Sequence, residues 1–99
     1  MTDITVEVSR NHYHVVADDH ADDSAVCAGI SALVQMLGGC INNHDDVKIK
    51  TFDIKPGHIE YEFISSGWKV LEDVKAMVIG ILQIQQGYPG NVKITENIF

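Results

Sequence analysis

The stretch from His20 to Ser31 reads His-Ala-Asp-Asp-Ser-Ala-Val-Cys-Ala-Gly-Ile-Ser, and it divides a strand pattern from a helix pattern. It places His20 in a polar turn and, seven positions later, Cys27 near the start of the predicted helix. A helix N-terminus presents the positive end of the helix dipole, which favours a thiolate there. Histidine is the residue type that takes up the thiol proton in cysteine nucleophiles. The stretch therefore predicts a nucleophile and its base, against the alternative of a buried thiol that only fills space.

Downstream of this stretch, the sequence indicates a helix with one apolar face. Asp22, Asp23 and Ser24 precede it, and all three residue types act as helix caps. Apolar residues then recur at spacings of four, three, four and four, which is typical of a helix packed against a core. These residues are Val26, Ile30, Leu33, Leu37 and Ile41.

Upstream and further downstream, apolar and polar residues alternate as they do in half-buried strands. Residues 4–8 and 13–17 show this alternation and predict a β-hairpin. Residues 47–51, with Val47, Ile49 and Thr51 on one face, and residues 59–63 predict a second hairpin. The sequence Pro56-Gly57 between them is a turn signal.

A second helix and a short last strand complete the predicted order. Residues 65–67 open the helix, Gly87 and Pro89 mark its end, and Val92 and Ile94 indicate the strand. The order β-β-α-β-β-α-β predicts an α+β fold, a two-layer sandwich with two helices on one face of a mostly antiparallel mixed sheet. We expect residues 1–99 to form one domain, since the length suits a single core.

Composition and charge restrict the classes of function. The formal net charge is −7 and the cations are not clustered, which argues against a nucleic-acid partner. We find no apolar run near the roughly 18 residues that span a bilayer, so we predict no membrane association. The N-terminus lacks a signal peptide pattern. Cys27 and Cys40 fall on one predicted helix, too far apart for a disulfide, which suggests reduced thiols and a cytoplasmic protein.

The histidines outside the opening stretch raise the question of a metal site. His12 and His14 share one strand face, and His58 falls on a neighbouring strand. Their spacing is not that of a structural zinc motif, and paired histidines on a wet strand face are common. We therefore predict no metal and no cofactor.

At the cysteine stretch, the chain resembles the ribosomal-processing cysteine proteases, a family of bacteria and phages. His20-Ala21 match the family's histidine motif, and Val-Cys-Ala-Gly-Ile-Ser-Ala-Leu at residues 26–33 match its cysteine motif. Gly-Ile-Leu-Gln-Ile at residues 80–84 and Tyr88-Pro89 are also similar to the family pattern. The resemblance covers nearly the whole chain in the same order of elements.

The resemblance implies a cysteine endopeptidase (a hydrolase) with Cys27 as nucleophile and His20 as general base. Ser31, Asp22 and Asp23 are candidate supporting residues, and backbone amides at the helix start are expected to hold the oxyanion. The implied substrate is a protein with an exposed N-terminal segment: a ribosomal large-subunit protein in bacteria, a capsid or scaffold protein in phages. The family also implies a homodimer and a role in ribosome biogenesis. An acidic surface would suit a basic substrate tail.

The chain departs from the family pattern in three places. Asp19 stands where the family has glycine before the histidine, and Ser24 stands where it has an acidic residue. The segment between His20 and Cys27 is several residues shorter than usual. These departures favour a divergent, phage-related member, and they leave open an alternative: a catalytically inactive relative that acts as a protein-binding module.

Overall fold

The computed structural model describes residues 1–98, and Phe99, the last residue of the predicted domain, lies outside them. The predicted α+β order β-β-α-β-β-α-β is confirmed. The elements are β1 (Thr2–Ser9), β2 (His12–Asp18), α1 (Ser24–Asn43), β3 (Val47–Lys55), β4 (His58–Ser65), α2 (Trp68–Gly87) and β5 (Val92–Ile98).

The strands form one mixed sheet in the spatial order β3-β4-β2-β1-β5. β1 pairs antiparallel with β2, which pairs antiparallel with β4, and β4 pairs antiparallel with β3. β5 instead runs parallel to β1. Within residues 1–98, β3 and β5 are therefore the two edges of the sheet, and the predicted mostly antiparallel arrangement is confirmed.

Both helices cover the same face of the sheet. Buried residues on that face therefore alternate along β1, β2 and β4 with more accessible residues on the opposite face. The core between the layers includes Leu37 of α1, Ile81 of α2 and the aromatic side chains of Tyr61 and Phe63 from β4, all fully buried. The Tyr61 hydroxyl donates to the backbone oxygen of Val34 at 3.0 Å, which joins β4 to α1. Burial of this phenol raises its pKa to about 12.

The edge strand β3 differs from its sequence pattern. A β-bulge between Ile49 and Thr51 moves Thr51 opposite Glu62, on the face away from the helices. The prediction that Thr51 shares a face with Ile49 was therefore wrong. Phe52 lies on the helix side instead, stacked on Tyr61 with ring centroids 4.9 Å apart. The helices do not reach far enough to cover this edge fully, and Phe52 remains 41% exposed.

Helix α1 corrects the prediction that no segment is long and apolar enough to span a bilayer. By length and composition it qualifies, with 20 residues and a mean hydropathy of 1.7. Its inner face, with Val34 and Leu37 fully buried, packs into the core. The core helix of a two-layer domain meets the same criteria, and that is the role of α1 in this fold.

Candidate active site

The structure brings His20 and Cys27 into direct contact. Cys27 is the fourth residue of α1, and His20 lies in the turn that connects β2 to this helix. The Cys27 Sγ atom is 3.5 Å from Nδ1 of His20, within hydrogen-bond distance for sulfur. His20 is exposed and Cys27 is partly exposed, so both are accessible to a ligand. The pair has the geometry needed for proton transfer from thiol to imidazole.

Asp23 caps the helix that carries the cysteine. Its Oδ1 accepts hydrogen bonds from the backbone amides of Ala25 at 2.8 Å and Val26 at 3.3 Å. The amide of Cys27 donates to the backbone oxygen of Asp23 at 3.0 Å. In this structure these three amides donate to Asp23, and the expectation that helix-start amides hold an oxyanion stays a prediction. The supporting role that the structure gives Asp23 is that of an N-cap.

Asn91, in the loop between α2 and β5, holds this cap in place. Its Oδ1 accepts a hydrogen bond from the backbone amide of Asp23 at 2.9 Å. Its backbone oxygen accepts one from the amide of Thr2 at 2.9 Å. Asn91 thus joins the start of α1 to the sheet, although nothing in the sequence pattern pointed to it.

The backbone before His20 explains one departure from the family pattern. Asp19 has φ of 69°, in the left-handed region that favours glycine. Aspartate tolerates this conformation better than most residues with a side chain. The aspartate therefore retains the backbone conformation for which glycine is the usual choice, and His20 follows from the same turn.

A cavity of about 320 Å³ opens beside the cysteine. Its apolar walls include Ile30 and Val34 of α1 and Ile59 of β4, and the tip of the β3–β4 hairpin also lines it. Ser31 also lines the cavity, one helical turn after Cys27. The Ser31 Oγ accepts a hydrogen bond from Nε2 of Gln35 at 2.8 Å, so its own proton remains to be donated.

In the part of the chain that the structure describes, the other predicted supporting residue, Asp22, makes no side-chain hydrogen bond to the pair. Asp22 is exposed in the turn and lies outside the helix cap formed by Asp23. Within residues 1–98, the side-chain hydrogen bond found for His20 goes to Cys27 rather than to an aspartate. The arrangement is therefore a cysteine–histidine pair, with Ser31 on the cavity wall.

On the sheet face away from the helices, the two histidines of β2 are hydrogen-bonded to carboxylates. Nε2 of His12 donates to Glu62 and Nε2 of His14 donates to Glu60, both at 2.7 Å. Across residues 1–98, no cluster of three or more metal-ligating side chains has the geometry to hold an ion.

His58, at the start of β4, is also paired with carboxylates and lies at the edge of the cavity. Its Nδ1 bonds Oδ1 of Asp18, and its Nε2 is 3.4 Å from Oε1 of Glu60. The hydrogen bond with Asp18 is the main reason that the pKa of His58 is raised. Burial opposes this shift, and the hydrogen bond with Glu60 adds to it. Hydrogen bonds from His14 and then His58 lower the pKa of Glu60. Sequence reasoning placed His58 on a strand but missed its place at the cavity.

The second cysteine lies near the other end of α1. Burial raises the pKa of the Cys40 thiol, and Asp73 of α2 raises it further by its charge and a hydrogen bond. The same carboxylate accepts a hydrogen bond from Nε2 of His44 at 2.7 Å. Both cysteines are free thiols.

Sequence comparison matches the chain to no family profile and to no curated protein. Comparison of structures does find similar folds. The ribosomal processing protease Prp from S. aureus, in complex with a covalently linked product peptide, matches with a TM-score of 0.82 and 21% identity over 98% of this chain and 100% of that one. The same protease with a substrate peptide gives 0.81 and 19% over the same shares. A protein from Streptococcus mutans gives 0.71 and 20% over 100% of this chain and 96% of that one.

These likenesses extend over essentially the whole chain, and they agree with the resemblance seen in the sequence around Cys27. The chain therefore has the fold of the ribosomal processing proteases.

Proposed function

We propose that this protein is a cysteine endopeptidase in which Cys27 is the nucleophile and His20 the general base. The observation that carries the proposal is the 3.5 Å contact between Cys27 Sγ and His20 Nδ1 at the edge of a cavity. The fold shared with a protease that binds a substrate peptide adds support.

The chemistry is acyl transfer through a thioester. The thiol proton of Cys27 passes to Nδ1 of His20, and the thiolate attacks the carbonyl carbon of a peptide bond. When the carbon–nitrogen bond breaks, the imidazolium returns its proton to the leaving amine. Water then attacks the thioester and gives one proton to His20, which reprotonates Cys27 as the carboxylic acid product leaves.

Ser31 is the candidate that we propose for stabilising the oxyanion. It lies on the same side of α1 as Cys27, one turn further along, and lines the cavity. Because Gln35 donates to its oxygen, the hydroxyl proton is free to point toward a substrate oxygen. We prefer Ser31 to the helix-start amides because three of those amides already donate hydrogen bonds to Asp23.

The substrate that we propose is a protein with an exposed N-terminal segment, either a ribosomal large-subunit protein or a phage capsid or scaffold protein. The apolar cavity walls suit an apolar side chain near the cleaved bond. A cytoplasmic location agrees with two free thiols. We also propose a homodimer, for which the exposed apolar residues of β3 offer a contact surface: Ile49, Phe52 and Ile54.

The test is cleavage of a mixed peptide library, read by mass spectrometry. We expect the wild type and Cys40→Ser, the matched control, to produce the same new peptide ends. Cys27→Ser and His20→Ala should produce none above background. Equal cleavage by Cys27→Ser would contradict the proposal.

The second candidate function is a protein-binding module without catalysis. The occupied amides at the start of α1 favour it, because an acyl-transfer site needs donors for the oxyanion. In the library experiment this candidate predicts no new peptide ends from any variant. It also predicts that His20→Ala leaves the alkylation rate of Cys27 unchanged.

A further inference from the structure

We propose that Asp18 and His58 act as positioning residues for His20, by holding the turn between β3 and β4 against its imidazole ring. The inference rests on the proposed role of His20 as base. The turn and His58 are distant in sequence from both members of the pair, whereas Asp18 lies two residues before His20.

The first observation is a double connection between the turn and the residues that precede His20. Asp18 and His58 are cross-strand partners at the end of the β2–β4 ladder, and their side chains are bonded. One residue further, the amide of Asp19 donates to the backbone oxygen of Gly57 at 2.8 Å. The turn is therefore joined to the chain beside His20 through both side chains and backbone.

The second observation is the close approach of Gly57 to the imidazole. Gly57 has φ of 77°, and a Cβ atom added to it would lie 3.2 Å from Nε2 of His20. The opposite side of the ring carries Nδ1, which contacts the sulfur of Cys27. The ring thus lies between the cysteine and the turn, with one nitrogen toward each.

This placement matters because His20 is exposed and the χ2 torsion of histidine has broad minima. A ring free to rotate spends less time with Nδ1 at the sulfur, and small misplacements of catalytic groups reduce rates strongly. The turn restricts the ring on its Nε2 side, where a side chain at Gly57 would instead displace it. His58 fixes the turn, and Asp18 fixes His58.

The groups that face His58 come from three strands. Asp18 of β2 and Glu60 of β4 bond its two nitrogens, and Asp53 of β3 adds a Coulombic attraction. Lys55, the cross-strand partner of His58 on β3, is itself ion-paired with Asp53. Glu60 is shared with His14. These carboxylates favour the imidazolium form of His58, in which the bond to Asp18 is charge-assisted and stronger. The hold on the turn is therefore expected to weaken at high pH.

The test measures the rate of Cys27 alkylation by iodoacetamide across a pH series, with Cys40 as internal reference. We expect His58→Ala and Asp18→Ala each to lower the Cys27 rate at pH 7 to about a tenth. His58→Asn should stay within about twofold of wild type, because the asparagine amide nitrogen replaces Nδ1 as donor to Asp18. The double variant should be no slower than either single one.

The matched control is His12→Ala, which removes another histidine–carboxylate pair from the same sheet face. We expect it to leave the Cys27 pH profile unchanged even if it lowers the unfolding temperature as much as His58→Ala does. If His58→Ala fails to fold, Asp18→Ala removes the same bond from the more exposed partner.

Two results would overturn the inference, and they are distinct. A Cys27 rate that depends on His20 but is unchanged in His58→Ala and Asp18→Ala contradicts the positioning role alone. A Cys27 rate that His20→Ala does not change contradicts the proposed pair and the positioning role together.

Discussion

The two ends of helix α1 contain the same residue types in different arrangements. At its start, the thiol of Cys27 contacts the imidazole of His20 directly. Near its end, Asp73 contacts both Cys40 and His44, so the histidine bonds a carboxylate instead of the thiol. The first arrangement offers the thiol a base, whereas the second adds a negative charge that opposes ionisation. We therefore expect the partner that each histidine binds to determine which of the two cysteines is reactive.

The largest expected difference between the two ends is in thiol reactivity. At pH 7 we expect iodoacetamide to modify Cys27 about 100-fold faster than Cys40, because His20 can take up the thiol proton of Cys27, whereas burial and then Asp73 raise the pKa of the Cys40 thiol. Peptide mass spectrometry over time gives both rates from one sample. Equal alkylation rates for Cys27 and Cys40 would contradict the expectation that the two ends of α1 differ in thiol reactivity.

Loss of the helix cap is expected to weaken the Cys27 end alone. Asp23→Ala should lower the free energy of unfolding by about 1 kcal/mol, because two amides lose their acceptor. Urea denaturation measures the change, with Asp22→Ala, an exposed neighbour outside the cap, as the matched control. The reactivity of Cys40 should not change. A loss of the same size in both variants would show that the cap is not the cause.

At the other end of α1, we expect Asp73→Asn to reduce, but not to remove, the difference in alkylation rate between Cys27 and Cys40. The substitution removes the charge beside Cys40, so alkylation of Cys40 should become about threefold faster. Burial, the larger cause of the raised pKa, remains. His44→Ala serves as the control, since it leaves the carboxylate in place. A Cys40 rate as high as that of Cys27 would contradict the stated order of causes.

The smallest expected effect is on stability as a function of pH. The pKa of His58 is raised in the folded state, so its contribution to stability is complete below its ordinary value of 6.5 and is lost as pH rises through the folded value. The pKa of Glu60 is lowered, so its contribution is lost as pH falls below its ordinary value of 4.5 through the folded one. The stability difference between wild type and His58→Ala should therefore shrink at alkaline pH. A constant difference in urea denaturation from pH 6 to pH 9 would contradict this assignment.

Local patterns predicted most of the fold. Alternation in β1, β2 and β4 and the helical spacing of α1 follow directly from burial on one face, and the structure has these elements. The bulge in β3 was not predictable, because it depends on pairing with β4 rather than on the residues of β3. β5 extends to Ile98, beyond the apolar pair Val92 and Ile94, because its pairing with β1 continues where side chains are exposed.

For the site, the sequence pointed to Cys27 and His20 but did not determine their distance. That distance depends on the turn at Gly57 and on the conformation of Asp19, which a sequence pattern does not reveal. The contribution of Asn91 to the helix cap was likewise hidden, since asparagine in a loop is usually only a turn residue. The Cys27–His20 distance and the role of Asn91 both depend on contacts between segments far apart in sequence, which local patterns do not reveal.

The hydrogen bond from Asp23 to Asn91 also has a consequence for the order of events during synthesis. Residues 20–27 leave the ribosome well before residue 91, and β1 lacks its parallel partner until residues 92–98 follow. Long-range pairing of this kind slows folding. The start of α1 therefore acquires its full set of contacts late, so a nascent chain holding both members of the pair has no complete site until the segment around Asn91 has joined the sheet.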